Sequence, residues 1–257
     1  MKIYFIGAGP GDPELITVKG LRLLEEADVV LYADSLVNEE LVNKSKPSAE
    51  VLKTAGMHLE EIVNIMVSRV RECKKVVRVH TGDPAVYGAI MEQIALLKKE
   101  QIEVEIIPGV SSVFAAAARV GAELTIPDLT QTVILTRAEG RTPVPEFEKL
   151  KQLASHHCTI ALFLSATLTK KIVNEFLAAG WSEKTPVAVV YKATWPDEKI
   201  VRSTLENLDA DMQKNGIRKQ AMILAGWALD EHIYNKEYRS KLYDKAFTHG
   251  YRKGVEI

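Results

Sequence analysis

The stretch with the most chemistry in it is HTGDPAVYG, His80 to Gly88. An apolar run with strand character, Val76, Val77 and Val79, leads in, and Ala89–Leu97 leads out with Ile90, Ile94 and Leu97 at helical spacing. The stretch is therefore a turn at the carboxyl end of a strand, the place where open α/β sheets bind ligands. Gly82 lets the backbone turn sharply or approach a ligand closely. Pro84 stiffens the turn and removes one donor. Asp83 offers a carboxylate to the mouth of a site. The same string also reads as an ordinary turn in which Asp83 caps the following helix, and spacing alone leaves both readings open.

Two further turns follow strands. Residues 2–6 read as a buried strand running into Gly7-Ala8-Gly9-Pro10-Gly11-Asp12-Pro13, and Val104–Ile107 runs into Pro108-Gly109-Val110-Ser111-Ser112. The first invites a dinucleotide reading, G-x-G-x-x-G with an acidic residue about 20 positions on. Asp34 imitates that residue, but Asp12 stands at the third glycine position and would repel phosphate. Pro10 has no N–H where a pyrophosphate would be cradled. An NAD(P)-binding oxidoreductase is the weaker reading.

Thr17 is placed to cap a helix carrying Val18, Leu21, Leu23 and Leu24, and Asp28–Tyr32 reads as the next strand. Leu59–Cys73 is amphipathic, with Ile62, Ile65, Met66 and Val70 on one side. The Ala-rich run Val113–Val120 reads as a closely packed helix. Beyond a change at Gly121–Leu129, strands are expected at Thr132–Thr136, Thr159–Leu164, Val187–Tyr191 and Ala221–Ala225, and helices at 168–179 and 204–215, with Gly180 a helix C-cap. Strand, turn and helix alternate throughout, the pattern of a mostly parallel sheet in an α/β protein. The 257 residues suffice for two mid-sized domains. The expected division is 1–118, 119–232 and a C-terminal extension, 233–257, rich in Lys, Arg and Tyr.

Net charge is -1, from 33 basic and 34 acidic residues, so nothing draws the whole molecule to nucleic acid or to an anionic membrane. No apolar run approaches the roughly 18 residues of a membrane span. Two distant cysteines, Cys73 and Cys158, and no charged-then-apolar leader fit a reducing cytoplasm. His156-His157-Cys158 looks like a metal cluster, but adjacent side chains diverge and a fourth ligand is not evident, so no metal is expected.

Taken together, the turns match a family. GAGPGDPELITVKGLRLLEEADVVLYADSLV resembles the opening of the tetrapyrrole (corrin/porphyrin) methylases, HTGDPAVYG and IPGVSS resemble that family's second and third motifs, and ALFLSA, VAVVYKAT and AMILAGWAL its C-terminal strands. The resemblance runs from Lys2 to about Asp230. It implies two α/β domains of the tetrapyrrole methylase type, unlike the Rossmann-type methyltransferases, with S-adenosylmethionine bound in a cleft between them and S-adenosylhomocysteine released. It maps the cofactor site to Pro10, Thr81, Gly82, Asp83, Val86, Tyr87, Ser111, Ser112, Leu164, Ser165, Ala193 and Met222. Plain core packing is the competing reading of Val86, Leu164 and Met222.

TRAEGRTPVPE, with YADSLV and LYDKAFTHGYR, resembles the branch that methylates C11 of a precorrin-4-type ring, with or without cobalt, in cobalamin biosynthesis. Other ring positions (C20, C17) and uroporphyrinogen III are the alternatives within the family. The substrate implied is a polycarboxylate macrocycle, which Arg137 and Arg141 would grip through bidentate forks. The competing reading makes them loop arginines in surface ion pairs. Lys170, Lys171 and Lys192 are weaker candidates of the same kind. Methyl transfer from a sulfonium needs alignment more than a strong base, and orientation supplies roughly 7–11 kcal/mol in good cases. No catalytic base is assigned, with Tyr87 and Asp34 possible polar participants. The resemblance also implies a homodimer.

Overall fold

The computed structural model describes residues 1–233 and 238–255, so the expected extension 233–257 lies partly outside the described residues. The chain divides into two compact units: Met1–Ala115 with Lys192–Asp197, and Ala116–Tyr191 with Glu198–Ile257. The division thus falls inside a helix, a few residues before the expected position. Lys192–Asp197, expected in the second domain, groups with the first unit, and the C-terminal residues group with the second.

In the first unit the order is β1 (Lys2–Gly7), α1 (Val18–Glu25), β2 (Val29–Tyr32), α2 (Glu39–Val42), β3 (Glu50–Lys53), α3 (Leu59–Arg71), β4 (Val76–His80), α4 (Ile90–Lys99), β5 (Glu103–Ile107) and α5 (Ser112–Arg119). The sheet runs β3-β2-β4-β1-β5, every pair parallel. Ile3, Phe5, Leu31 and Val76 pack on one face against Ile62, Met66, Ile94 and Leu97 of α3 and α4. Ile6, Val30, Val77 and Val79 pack on the other against Leu23, Leu24, Leu41 and Val42 of α1 and α2. Burial on both faces is why β1 and β2 read as apolar runs, while β4 carries Arg78 and His80 among its valines. Thr17 caps α1 as expected, its Oγ1 accepting from the Gly20 N–H at 3.2 Å.

In the second unit β6 (Val133–Arg137), α6 (Leu150–Ala154), β7 (Thr159–Phe163), α7 (Thr169–Ala178), β8 (Pro186–Tyr191), β9 (Lys199–Thr204), α8 (Leu208–Lys214) and β10 (Ala221–Ala225) follow in turn. The sheet order is β6-β7-β10-β8-β9. Only β6 and β7 are parallel; β10 is antiparallel to β7 and β8, and β8 to β9. The expected parallel pattern therefore holds for the first unit and fails here, because β8 and β9 pair without a crossover helix. The helix expected at 204–215 starts only at Leu208, since Lys199–Thr204 is an edge strand. Ile160, Leu162, Val187, Val189 and Ile223 form the core with Ile172, Phe176, Leu208 and Met212. Trp181 packs edge-on to Phe176, with ring centroids 4.5 Å apart, and its Nε1 donates to the Ala154 carbonyl at 2.6 Å. Gly180, at φ +88°, ends α7 as expected.

Candidate cofactor and substrate site

The three glycine-bearing turns of the first unit end three neighbouring strands, β4, β1 and β5. They are joined through backbone. Gly9 and Gly82 exchange N–H···O bonds of 3.2 and 2.8 Å, and the Ala8 N–H donates to the His80 carbonyl at 2.7 Å. A Cβ on Gly109 would lie 2.2 Å from the Gly82 carbonyl oxygen and 2.8 Å from the Gly7 Cα. Only glycine permits this approach.

Asp83 completes the junction. Its Oδ1 accepts from the Ala85 N–H at 2.8 Å and its Oδ2 from the Gly109 N–H at 2.9 Å. It does not cap α4, which begins at Ile90 after Ala89 in the left-handed region and has no side-chain cap. The carboxylate therefore ties the second turn to the third, and its sharpest geometric role is to hold backbone.

Thr81 and Tyr87 are exposed, Val86 and Ser112 half-buried, and Pro10, Ser111 and Ala193 buried. Gly82 would bring a Cβ within 3.7 Å of the Ser111 Cα and Ser112 N. The structure thus brings Pro10, Gly82, Asp83, Ser111 and Ser112 to one end of one sheet. Tyr87 and Ala89, at φ +55° and +48°, hold left-handed backbone in the same turn, strain of the kind that collects at functional sites. Asp34, a possible polar participant, accepts from the Ala55 N–H at 3.2 Å.

The dinucleotide reading fails on this geometry. Asp12 caps a short 3₁₀ turn at Pro13–Leu15, and α1 starts only at Val18 under the Thr17 cap. The Gly7–Asp12 turn runs into this three-residue turn and not into α1, so a pyrophosphate has no α-helix N-terminus to rest on.

Beneath the second turn lies a polar cluster that sequence reading missed. Arg78 is buried, its Nη1 donating to Thr54 Oγ1 at 3.0 Å and its Nε to Gln93 Oε1 at 3.4 Å. Burial pushes its pKa down to about 10, so it stays charged at neutral pH. His80 is buried beside Phe5, with ring centroids 5.3 Å apart. Burial first, then the Arg78 charge, push its pKa down to about 3, while a bond with the Gly88 backbone pulls the other way. Its ring is neutral, and its buried Nε2 has no hydrogen-bond partner among the described residues. The signal was available as alternation within Val76–His80, which puts Arg78 and His80 on one face of a buried strand.

In the second unit, Arg137 ends β6 beside Phe163 at the end of β7. Ser165, fully buried, accepts from the Ala138 N–H at 2.8 Å and donates to the Phe163 carbonyl at 2.6 Å, tying those two strand ends together. Leu164 between them is 71% exposed at φ +52°. Met222 is buried within β10 opposite Val190, which suits core packing.

Arg137 Nη1 and Nη2 donate to the carbonyls of Thr142 and Pro143 at 3.1 and 2.6 Å. Its fork closes its own loop rather than standing open for a carboxylate. Arg141 is exposed and forms no ion pair or hydrogen bond among the described residues. Of the lysines, Lys171 reaches the Glu139 carbonyl and carboxylate at 2.9 and 3.3 Å, Lys192 pairs with Asp197 at 2.7 Å, and Lys170 is exposed. His157 stacks on Trp181 at 5.8 Å and Cys158 is buried, which separates the His-His-Cys run. Among the described residues no three His, Cys, Asp or Glu side chains converge to hold a metal.

A profile of the Tetrapyrrole (Corrin/Porphyrin) Methylases matches residues 2–209. The chain belongs to this family. A cobalt-precorrin-4 C(11)-methyltransferase of Priestia megaterium is 77% identical to this tetrapyrrole methylase over 256 residues, spanning 100% of this chain and 99% of that protein. The X-ray structure of a cobalt precorrin-4 methyltransferase of cobalamin biosynthesis, also 77% identical, superposes with a TM-score of 0.88 over 89% of this chain and 96% of that one. A uroporphyrin-III C-methyl transferase from Thermus thermophilus, solved with S-adenosylhomocysteine, is 30% identical with a TM-score of 0.75, covering 90% and 94% of the two chains. The fold is that of the tetrapyrrole methylases and not the Rossmann-type methyltransferase fold.

Proposed function

We propose that this tetrapyrrole methylase transfers the methyl group of S-adenosylmethionine to C11 of cobalt-precorrin-4. The observation that carries the reading is the whole-length identity of 77% to a relative named for that reaction. TRAEGRTPVPE, which resembles that branch, stands at the β6 end. When bound, the donor supplies a methyl on a positively charged sulfur, which the ring carbon takes while the S–C bond breaks and a neutral thioether leaves.

The protein's part is orientation. The Gly9–Gly82 exchange and the Asp83–Gly109 bond fix the turns that carry Pro10, Thr81 and Ser111, so exposed backbone polar groups stand in set positions for the donor. Asp83 acts there as a positioning residue. Leu164 offers an apolar surface, and Arg141 a free fork for a peripheral carboxylate. Misplacement by about 1 Å can cost on the order of a hundredfold in rate, which is why rigid turns matter more here than a general base.

The test is incubation with methyl-labelled S-adenosylmethionine and precorrin-4, with and without cobalt. Mass spectrometry and carbon NMR should find one label, at C11, with the cobalt-loaded ring preferred. A label at C17, C20 or a uroporphyrinogen position overturns the regiochemistry.

The assembly is proposed to be a homodimer in the cytoplasm. Two-fold closure is common for small enzymes, both cysteines are free, and no described helix is long and apolar enough to cross a membrane. Light scattering that reports a monomer at all concentrations would remove the dimer.

A further inference from the structure

We infer that Thr194 and Trp195 are positioning residues for the methyl donor, acting through the glycine-rich turn after β1. This rests on the proposed cofactor reading and gives a role to two residues that it left without one. Of the seven residues that connect β8 to β9, both in the second unit, the six from Lys192 to Asp197 group with the first. There they hold three consecutive backbone positions. Trp195 Nε1 donates to the Pro10 carbonyl at 3.0 Å, and the Asp12 N–H donates to Thr194 Oγ1 at 2.9 Å. Between these two bonds lies Gly11, where a Cβ would come 2.1 Å from Trp195 Cδ1 and 2.3 Å from Nε1. The indole therefore lies directly on the Gly11 backbone.

The pair is itself held firmly. Lys192 Nζ sits 5.2 Å from the Trp195 ring centroid and 2.7 Å from Asp197 Oδ2, so a cation caps the indole. Lys192 and Thr194 adopt φ of +46° and +71°, and the Trp195 N–H closes the turn onto the Lys192 carbonyl at 3.0 Å. Non-glycine residues in the left-handed region cost energy and persist where the surroundings over-determine them. Here that conformation presents the Thr194 hydroxyl and the indole N–H to adjacent peptides of one turn. In the same turn, Asn38 Nδ2 donates to the Gly11 carbonyl at 3.0 Å, and Asp12 Oδ1 accepts from the Glu14 N–H at 2.8 Å. Pro10–Asp12 is thus held by Asn38 as well as by Thr194 and Trp195. Removing the Thr194 and Trp195 bonds frees the Pro10 carbonyl and the Asp12 N–H and lets the turn move, while the Asp83 junction keeps the other two turns in place.

The experiment is isothermal titration of the full chain with S-adenosylhomocysteine, comparing wild type, Trp195→Ala, Trp195→Phe, Thr194→Val, Thr194→Ser and, as a control in the second unit, Trp227→Phe. Trp195→Ala should bind about tenfold more weakly, and Trp195→Phe and Thr194→Val about threefold, each tenfold step corresponding to about 1.4 kcal/mol. Thr194→Ser keeps the hydroxyl and should match wild type, as should Trp227→Phe. The loss should appear in KM for the donor and, because a looser turn aligns the donor less well, in kcat at saturating donor also. In a Trp181→Phe/Trp227→Phe background, Trp195 emission should shift on titration with the affinity that calorimetry gives, a response a purely structural tryptophan would not show. If Trp195→Ala does not fold, Trp195→Phe and Thr194→Val carry the test. Wild type that binds while those variants bind equally well overturns the positioning role and leaves the cofactor reading standing. Wild type that does not bind overturns the cofactor reading itself.

Discussion

Arg78 and His80 show how a single strand position can set the electrostatics under a ligand turn. Among the described residues Arg78 has a hydroxyl and an amide as side-chain partners, and burial first, then the Arg78 charge, makes a second positive charge costly at His80. The imidazole ordinarily titrates near 6.5 and is pushed down to about 3 in the folded chain. Between those values the unfolded chain binds a proton that the folded chain refuses. Stability from this group is therefore complete above pH 6.5 and is lost progressively as pH falls toward 3, with a limiting slope of about 1.4 kcal/mol per pH unit. Urea unfolding of wild type and His80→Gln between pH 7.5 and 4 should show the wild-type curve falling more steeply. Parallel curves would mean that His80 is not held neutral by burial. Alternation puts both residues on one face of β4, but V-V-R-V-H does not say what meets that face: burial of an arginine without a carboxylate partner among the described residues is a tertiary fact.

Among the elements, strands that carry an apolar run are legible, the edge strands β5 and β6 included, and strands without one are not. β1, β2, β4 and β5 announce themselves by apolar runs, and the helices beside them by spacing. β3, EVLK, and β9, KIVRST, went unread, since both are edge strands with alternating or largely exposed residues. Charge on an edge is what keeps such strands from pairing with another chain, and it also removes the apolar signal. The parallel pattern was carried too far for the same reason, as an antiparallel pair joined by a short segment leaves no crossover helix to count. The turns were legible as glycine-bearing stretches, but their mutual contact was not. Gly109 tests that contact. Its Cβ would strike backbone on two sides, at 2.2 and 2.8 Å, whereas a Cβ on Gly56 meets nothing within 4 Å. Gly109→Ala should destabilise by about 3 kcal/mol, the upper part of the usual overpacking range, and weaken S-adenosylhomocysteine binding. Gly56→Ala should stay within about 0.5 kcal/mol of wild type. Equal denaturation midpoints for the two variants would show that the three turns can separate freely.

At the scale of the whole chain, the two units carry separate cores, and the tryptophans are divided between them. Trp181 and Trp227 belong to the second unit and Trp195 to the first. A chain with Trp181→Phe and Trp227→Phe therefore reports unfolding of the first unit alone, while far-ultraviolet circular dichroism reports both. Ligand binding stabilises only the folded structure that carries the site, by RT ln(1 + [L]/Kd), or about 2.7 kcal/mol at a hundredfold excess over Kd. For a chain of this size, each kcal/mol corresponds to roughly 2–4 °C. If the donor rests on the turns of the first unit, the Trp195-reported transition should rise by about 5–10 °C at that concentration of S-adenosylhomocysteine. A Trp195 transition that stays fixed while calorimetry records saturation would place the binding energy in the second unit, and Ser165 and Leu164 would then be the residues to alter first.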